Sequence, residues 1–194
     1  MFFAPLLTVL FVFTAVRASA LLGNLTAVVP SPKLVPLAPM GNVAAVQIPN
    51  GDTRVFFQDA TGNIVIARVT QPLLSGGTYI PIESVVPARE VLPSTPIVAI
   101  AANTATWTAM RIYFLSPANV LSEFTWVPGG FSGGPSCATC LTAQGIVVAN
   151  SKVLYAMANT AFNQFRVGFV SAGQPTTISE AENLAGSWGV ATYV

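Results

Sequence analysis

This chain of 194 residues predicts an all-β fold of the β-propeller type, a half or partial propeller of about three blades with three to four antiparallel strands each. Three observations carry that expectation. Fifteen glycines and 15 prolines cut the sequence into short apolar runs, a pattern that favours strands over helices. Several of these runs alternate polar and apolar residues, the period of a half-buried strand. One strand motif occurs three times, as Thr53-Arg54-Val55-Phe56-Phe57-Gln58, Met110-Arg111-Ile112-Tyr113-Phe114-Leu115 and Phe165-Arg166-Val167-Gly168-Phe169-Val170. Its arginines stand roughly 55 residues apart, the spacing of propeller blades.

Composition narrows the function. Only 8% of the residues are charged, 53% are apolar, and the formal net charge is +1. Without clustered Lys or Arg there is little to neutralise phosphates, so nucleic acid is not an expected partner. There is no histidine. The commonest general base and the commonest metal ligand are therefore missing, which weighs against hydrolases and metalloenzymes, and no cofactor or metal is expected. The length suits one domain with a proper core.

Residues 1–20, MFFAPLLTVLFVFTAVRASA, form an apolar run ending in Ala18-Ser19-Ala20, the small-x-small pattern that signal peptidase accepts. They read as a secretory signal removed after Ala20, with a signal anchor as the alternative. The mature chain is then expected to be extracellular and off the membrane. Residues 21–42 carry Pro30, Pro32, Pro36 and Pro39, which deny them a ladder of backbone donors and suggest an extended segment. Asn24-Leu25-Thr26 is a glycosylation sequon in a secreted chain.

Residues 43–194 hold the repeats. An apolar run precedes each arginine strand, at Val43 to Ile48, Ile97 to Ala101 and Val153 to Ala158. A turn and a further strand follow each, at Asn63 to Val69, Val120 to Trp126 and Thr177 to Ala181, and a fourth strand is expected in two copies, Tyr79 to Val86 and Gly145 to Val148. The middle copy is the clearest. Around a Ser116-Pro117-Ala118-Asn119 turn, its two arms bring Arg111 and Glu123 onto one surface. A plain β-sandwich with accidental similarity is the competing architecture. A lone blade cannot bury both faces of its sheet, so its neighbours must cover it. Three blades close no ring, which leaves a homodimer completing six blades, an open stack, or the remainder of a larger ring.

The repeat resembles that of the fungal fucose-specific lectins of the Aleuria aurantia type. Family blades carry Arg, apolar, aromatic, apolar, a turn, then a Glu twelve positions after the Arg, and an aromatic residue of the next blade serves the site. Arg111 and Glu123 match fully, and the resemblance covers nearly all of the repeat domain. It implies a six-bladed propeller relative, fucose or a fucosylated oligosaccharide as ligand, and a best site of Arg111 and Glu123 with Trp188. The other copies depart from the pattern. Arg54 plus twelve is Ile66, so that acceptor is missing, although Phe131 occupies the aromatic place. Arg166 finds Glu180 only with two extra residues in the turn, and its following blade would have to come from another molecule.

These residue types suit a sugar on physical grounds. A fixed guanidinium donates to hydroxyls, a carboxylate accepts from them, and an aromatic ring is a rigid platform for an apolar C–H face or a methyl group. A bare Arg111–Glu123 pair is otherwise an ordinary cross-strand ion pair. A glycosidase needs two carboxylates flanking a bond, and the seven acids offer only Glu180 and Glu182 on one strand face, so no catalytic residue is expected. Cys137-Ala138-Thr139-Cys140, in a loop of a secreted chain, reads as a small disulfide loop. Trp107 reads as packing or a rim contact. The expected function is a secreted, non-enzymatic lectin; the alternatives are a degenerate propeller with a structural or wall-associated role and a propeller-fold glycoside-acting enzyme.

Overall fold

The computed structural model describes residues 41–193; the expected signal at 1–20, the sequon at Asn24 and all but the end of the Pro-rich segment lie outside them. Twelve strands form three four-stranded antiparallel sheets among the described residues. Sheet 1 holds β1 (Val43–Gln47), β2 (Thr53–Gln58), β3 (Ile64–Val69) and β4 (Tyr79–Val86). Sheet 2 holds β5 (Val98–Ala101), β6 (Met110–Leu115), β7 (Leu121–Val127) and β8 (Gly130–Gly133). Sheet 3 holds β9 (Leu154–Ala158), β10 (Gln164–Phe169), β11 (Ser179–Leu184) and β12 (Ser187–Thr192). Within each sheet the strands follow chain order, so every connection is a hairpin.

The middle sheet shows why the sheets stack. Its strand β6 is buried almost throughout, on both faces. Ile112, Phe114 and Phe124 pack with Phe56, Ile64 and Ile66 of sheet 1, whereas Tyr113, Leu115 and Leu121 pack with Phe165, Val167 and Phe169 of sheet 3. Alternation along β6 therefore feeds two cores at once. Each of these apolar side chains contributes about 1.5–3 kcal/mol when fully buried. The β6–β7 turn works through Asn119, whose positive φ of 56° is tolerated by its short polar side chain, and Ser116 and Val120 close it with a 2.9 Å backbone bond.

The fourth strands differ from expectation. Tyr79–Val86 is one, but in sheet 2 the strand is Gly130–Gly133, and Gly145 to Val148 makes only isolated bridges, Val120 to Val147 and Val148 to Ser171. Gly129 and Gly130, at φ of 126° and 138°, fold the chain back directly after β7, so the edge is taken before residue 145 is reached. Sheet 3 also has its fourth strand, β12, and its third lies at Ser179–Leu184, two residues beyond the expected start.

Candidate functional site

Register decides where each arginine finds its partner. In sheet 2, Tyr113 stands opposite Glu123, and Arg111 two residues before it reaches diagonally across the same face. The same row pairs Phe56 with Ile66 in sheet 1 and Gly168 with Glu180 in sheet 3. The carboxylate position is thus the cross-strand partner of Arg plus two, whatever the turn length, which is why two extra residues after β10 do no harm.

Between sheets 2 and 3, Arg111 Nη1 is ion-paired with Glu123 Oε1. Glu123 is fully buried, while the Arg111 side chain keeps 22% of its surface. The other carboxylate oxygen, Oε2, accepts from the Leu141 backbone N–H at 2.7 Å, and the Glu123 N–H donates to Thr142 Oγ1 at 2.8 Å. Sheet 3 supplies two rings. Phe165 lies 3.9 Å beneath the guanidinium carbon, and the Trp188 indole meets the Tyr113 ring edge-on at 6.5 Å. Burial first, and then the Glu123 carboxylate, pushes the Tyr113 phenol well above its ordinary pKa, so it stays a hydroxyl. Among the described residues, the buried side-chain polar atoms without a partner in good hydrogen-bond geometry are Arg111 Nε, Tyr113 Oη and Trp188 Nε1, Tyr113 Oη being close enough to Glu123 and Arg111 for both to act on its phenol. All three belong to this cleft. Buried orphans of this kind are rare in folded proteins and cost about 1–3 kcal/mol each.

The cleft between sheets 1 and 2 has the same frame and different chemistry. Phe131 stands edge-on to Phe56 at 6.2 Å, as Trp188 stands to Tyr113, but Ile66 carries no carboxylate. Asp52 takes over that role. It forms an ion pair with Arg54, and its Oδ2 accepts from Trp107 Nε1 at 2.7 Å while the Trp107 ring lies 4.5 Å from the Arg54 guanidinium carbon. The sequence carries a signal for Asp52, two residues before Arg54, so the acceptor missing at Ile66 is replaced from upstream of the arginine. Trp107 is more than a rim contact, because its indole closes this network.

On the other face of sheet 3, Arg166 Nε donates to Glu180 Oε1 at 2.6 Å and lies 3.7 Å from Glu182. Glu180 Oε2 accepts from Tyr155 at 3.0 Å and Tyr193 at 2.7 Å. Two tyrosines of the same blade, Tyr155 of β9 and Tyr193 just after β12, close on this carboxylate; the aromatic residue expected from a following blade is a different position, the counterpart of Trp188 beside Tyr113. Gly168 makes this possible: a Cβ there would stand 2.0 Å from the Tyr155 ring, so Tyr155 occupies the place that Tyr113 fills in sheet 2. Burial alone would raise the Glu180 carboxyl, yet hydrogen bonds from Tyr193, Arg166 and Tyr155 outweigh it and hold the group below the usual carboxylate range. A depressed folded-state pKa stabilises the fold above the unfolded value of about 4.3 and loses that contribution as pH falls through the folded value. Urea unfolding of wild type and Glu180→Gln is therefore expected to show a stability gap at neutral pH that narrows below about pH 4. A gap that widens in acid would contradict the assignment.

Cys137 and Cys140 are joined by a disulfide in the loop after β8. Two surface depressions are lined by none of the repeat arginines Arg54, Arg111 and Arg166, although Arg89 borders the second. One of about 270 Å³ is lined by Ile100, Asn103, Asn159 and Thr160, and one of about 360 Å³ by Glu90, Phe114, Pro117 and Pro135.

No family model and no curated protein matches the sequence. Solved structures do. AofleA from Arthrobotrys oligospora is 24% identical with a TM-score of 0.65, over 81% of this chain and 42% of that one. A variant of Aleuria aurantia lectin in complex with alpha-methyl-L-fucoside is 21% identical with a TM-score of 0.61, over 82% and 51%. SapL1 lectin in complex with alpha methyl fucoside is 19% identical with a TM-score of 0.57, over 80% and 49%. This chain spans about half the length of the solved structures it matches. At these identities the likeness is one of fold: the three stacked four-stranded sheets are built on the blade plan of the fungal fucose lectins of the Aleuria aurantia type, which are β-propellers.

Proposed function

We propose that this chain is a secreted carbohydrate-binding protein that takes fucose or a fucosylated oligosaccharide into the cleft between sheets 2 and 3. The observation that carries the reading is the convergence of three buried, unpartnered polar atoms, Arg111 Nε, Tyr113 Oη and Trp188 Nε1, around a guanidinium–carboxylate pair. A pyranose brings oxygens for two N–H donors and a hydroxyl, and an apolar face for the rings. The solved Aleuria aurantia lectin and SapL1 lectin complexes, both with methyl fucosides, point to the same class of ligand. Cleavage after Ala20 and secretion belong to this reading. So does a homodimer completing six blades, which a solution mass of twice the chain would support and a strictly monomeric chain would overturn.

A non-binding structural role is favoured at the other two positions. Asp52, Arg54 and Trp107 satisfy one another, and so do Arg166, Glu180, Tyr155 and Tyr193. Titration with methyl α-fucoside tests the whole reading. One site per chain is expected, weakened about 100-fold or lost in Arg111→Ala, Glu123→Gln and Trp188→Ala, and kept within about twofold in Trp107→Phe. Absence of saturable binding at millimolar sugar would leave only the structural role, and release of a hydrolysis product would instead indicate an enzyme.

A further inference from the structure

The fourth strand of sheet 2 stops short of the ion pair. β8 pairs with β7 only as far as Gly133 opposite Phe124, so at Glu123 the chain segment beside β7 is the loop of residues 134–145. That loop consists of two short 3₁₀ turns, Gly134–Ser136 and Leu141–Gln144, and it holds Glu123 at two points. The Leu141 N–H donates to the carboxylate at 2.7 Å, and Thr142 Oγ1 accepts from the Glu123 backbone at 2.8 Å. Cys140 is the cap residue immediately before Leu141, and its disulfide to Cys137 ties the start of the second turn to the end of the first. Cys140 and Leu141 are both buried, with the Leu141 side chain in the core between sheets 2 and 3.

We propose that the Cys137–Cys140 disulfide is a positioning cross-link: by fixing Cys140 it keeps the Leu141 N–H aimed at Glu123, and so sets how the carboxylate meets a ligand in the cleft. The inference rests on the sugar-binding reading for its functional consequence, but the clamp itself does not. Without the cross-link, Leu141 is the first residue of a one-turn element that has no side-chain cap. A donor in so short an element is held by its surroundings, not by helical cooperativity. Sheet 3 provides the contrast, since Glu180 has its second oxygen held by Tyr155 and Tyr193 and needs no such loop.

The test uses the folded protein, oxidised and then reduced with excess dithiol. Two electrons and two protons pass to the sulfur pair, giving two thiols, and the reagent closes to its cyclic disulfide. Amide exchange at Leu141 is expected to quicken about tenfold on reduction while Val167 in sheet 3 is unchanged. The affinity for methyl α-fucoside is expected to fall about tenfold, the loss of one charge-assisted hydrogen bond. The Cys137→Ser/Cys140→Ser variant should behave as the reduced protein does. Equal Leu141 exchange in both states, quickened exchange with unchanged affinity, or acceleration of all amides together would each overturn the cross-link's positioning role. Quickened Leu141 exchange in a protein whose oxidised form takes up no fucoside would sink the sugar reading and leave the clamp on Glu123 standing.

Discussion

Glu123→Ala is expected to destabilise the domain by about 3 kcal/mol, the low end for breaking a buried ion pair. The low end applies because Arg111 keeps part of its surface in water while Glu123 keeps none. Removing the carboxylate strands the guanidinium against the Phe165 ring and leaves the Leu141 N–H without its acceptor. Each loss is a desolvation cost that water cannot fully repair. Glu123→Gln retains the shape and an acceptor and is expected to cost about half as much. Urea unfolding monitored by tryptophan fluorescence measures both. A loss below about 1 kcal/mol for the alanine variant would show that the pair behaves as an exposed surface bridge.

Gly133→Val is expected to cost about 3 kcal/mol, at the upper end of overpacking. A Cβ at residue 133 would stand 2.3 Å from the Glu123 carbonyl oxygen and 2.6 Å from Phe124 Cα. Both are backbone atoms of β7, so no side-chain rotation relieves the clash, and β8 must move away from the strand that carries Glu123. Gly189→Ala is the control. Nothing lies within 4 Å of a Cβ there, and a change within about 0.5 kcal/mol is expected. Similar losses in both variants would mean that the close approach of β8 to β7 is not what holds that edge.

The arginine strands were legible because three independent signals coincide in them: alternation, spacing and a shared motif. Thr53–Gln58 and Met110–Leu115 are strands at those bounds, and Arg111 with Glu123 follows from period-two geometry on one hairpin. Gly130–Gly133 was not legible, because two of its four residues are glycines, which have little strand preference, and a turn chemistry rather than hydrophobicity makes it. The short apolar run at Gly145 to Val148 pointed to the wrong segment for the same reason. Trp107 on Asp52, and Tyr155 over Gly168, are contacts between elements that share no sequence pattern. The Leu141 amide leaves no trace in the sequence at all, since every residue but proline has an N–H, and only the fold says which one meets a carboxylate. The residue types lining the candidate cleft were thus visible, while the contacts the chain's own loops make to them were not.

The cleft draws its charges and the Tyr113 ring from sheet 2 and the Phe165 and Trp188 rings from sheet 3. A sugar lodged there, as proposed, would be a rivet between two layers, and mass action would make its occupancy and the docking of the last forty or so residues a single linked equilibrium. On the proposed reading, sugar uptake would double as a gauge of whether the final layer is seated. Any lesion that loosens that layer, however far from Arg111, should surface first as weakened uptake, before the rest of the chain melts.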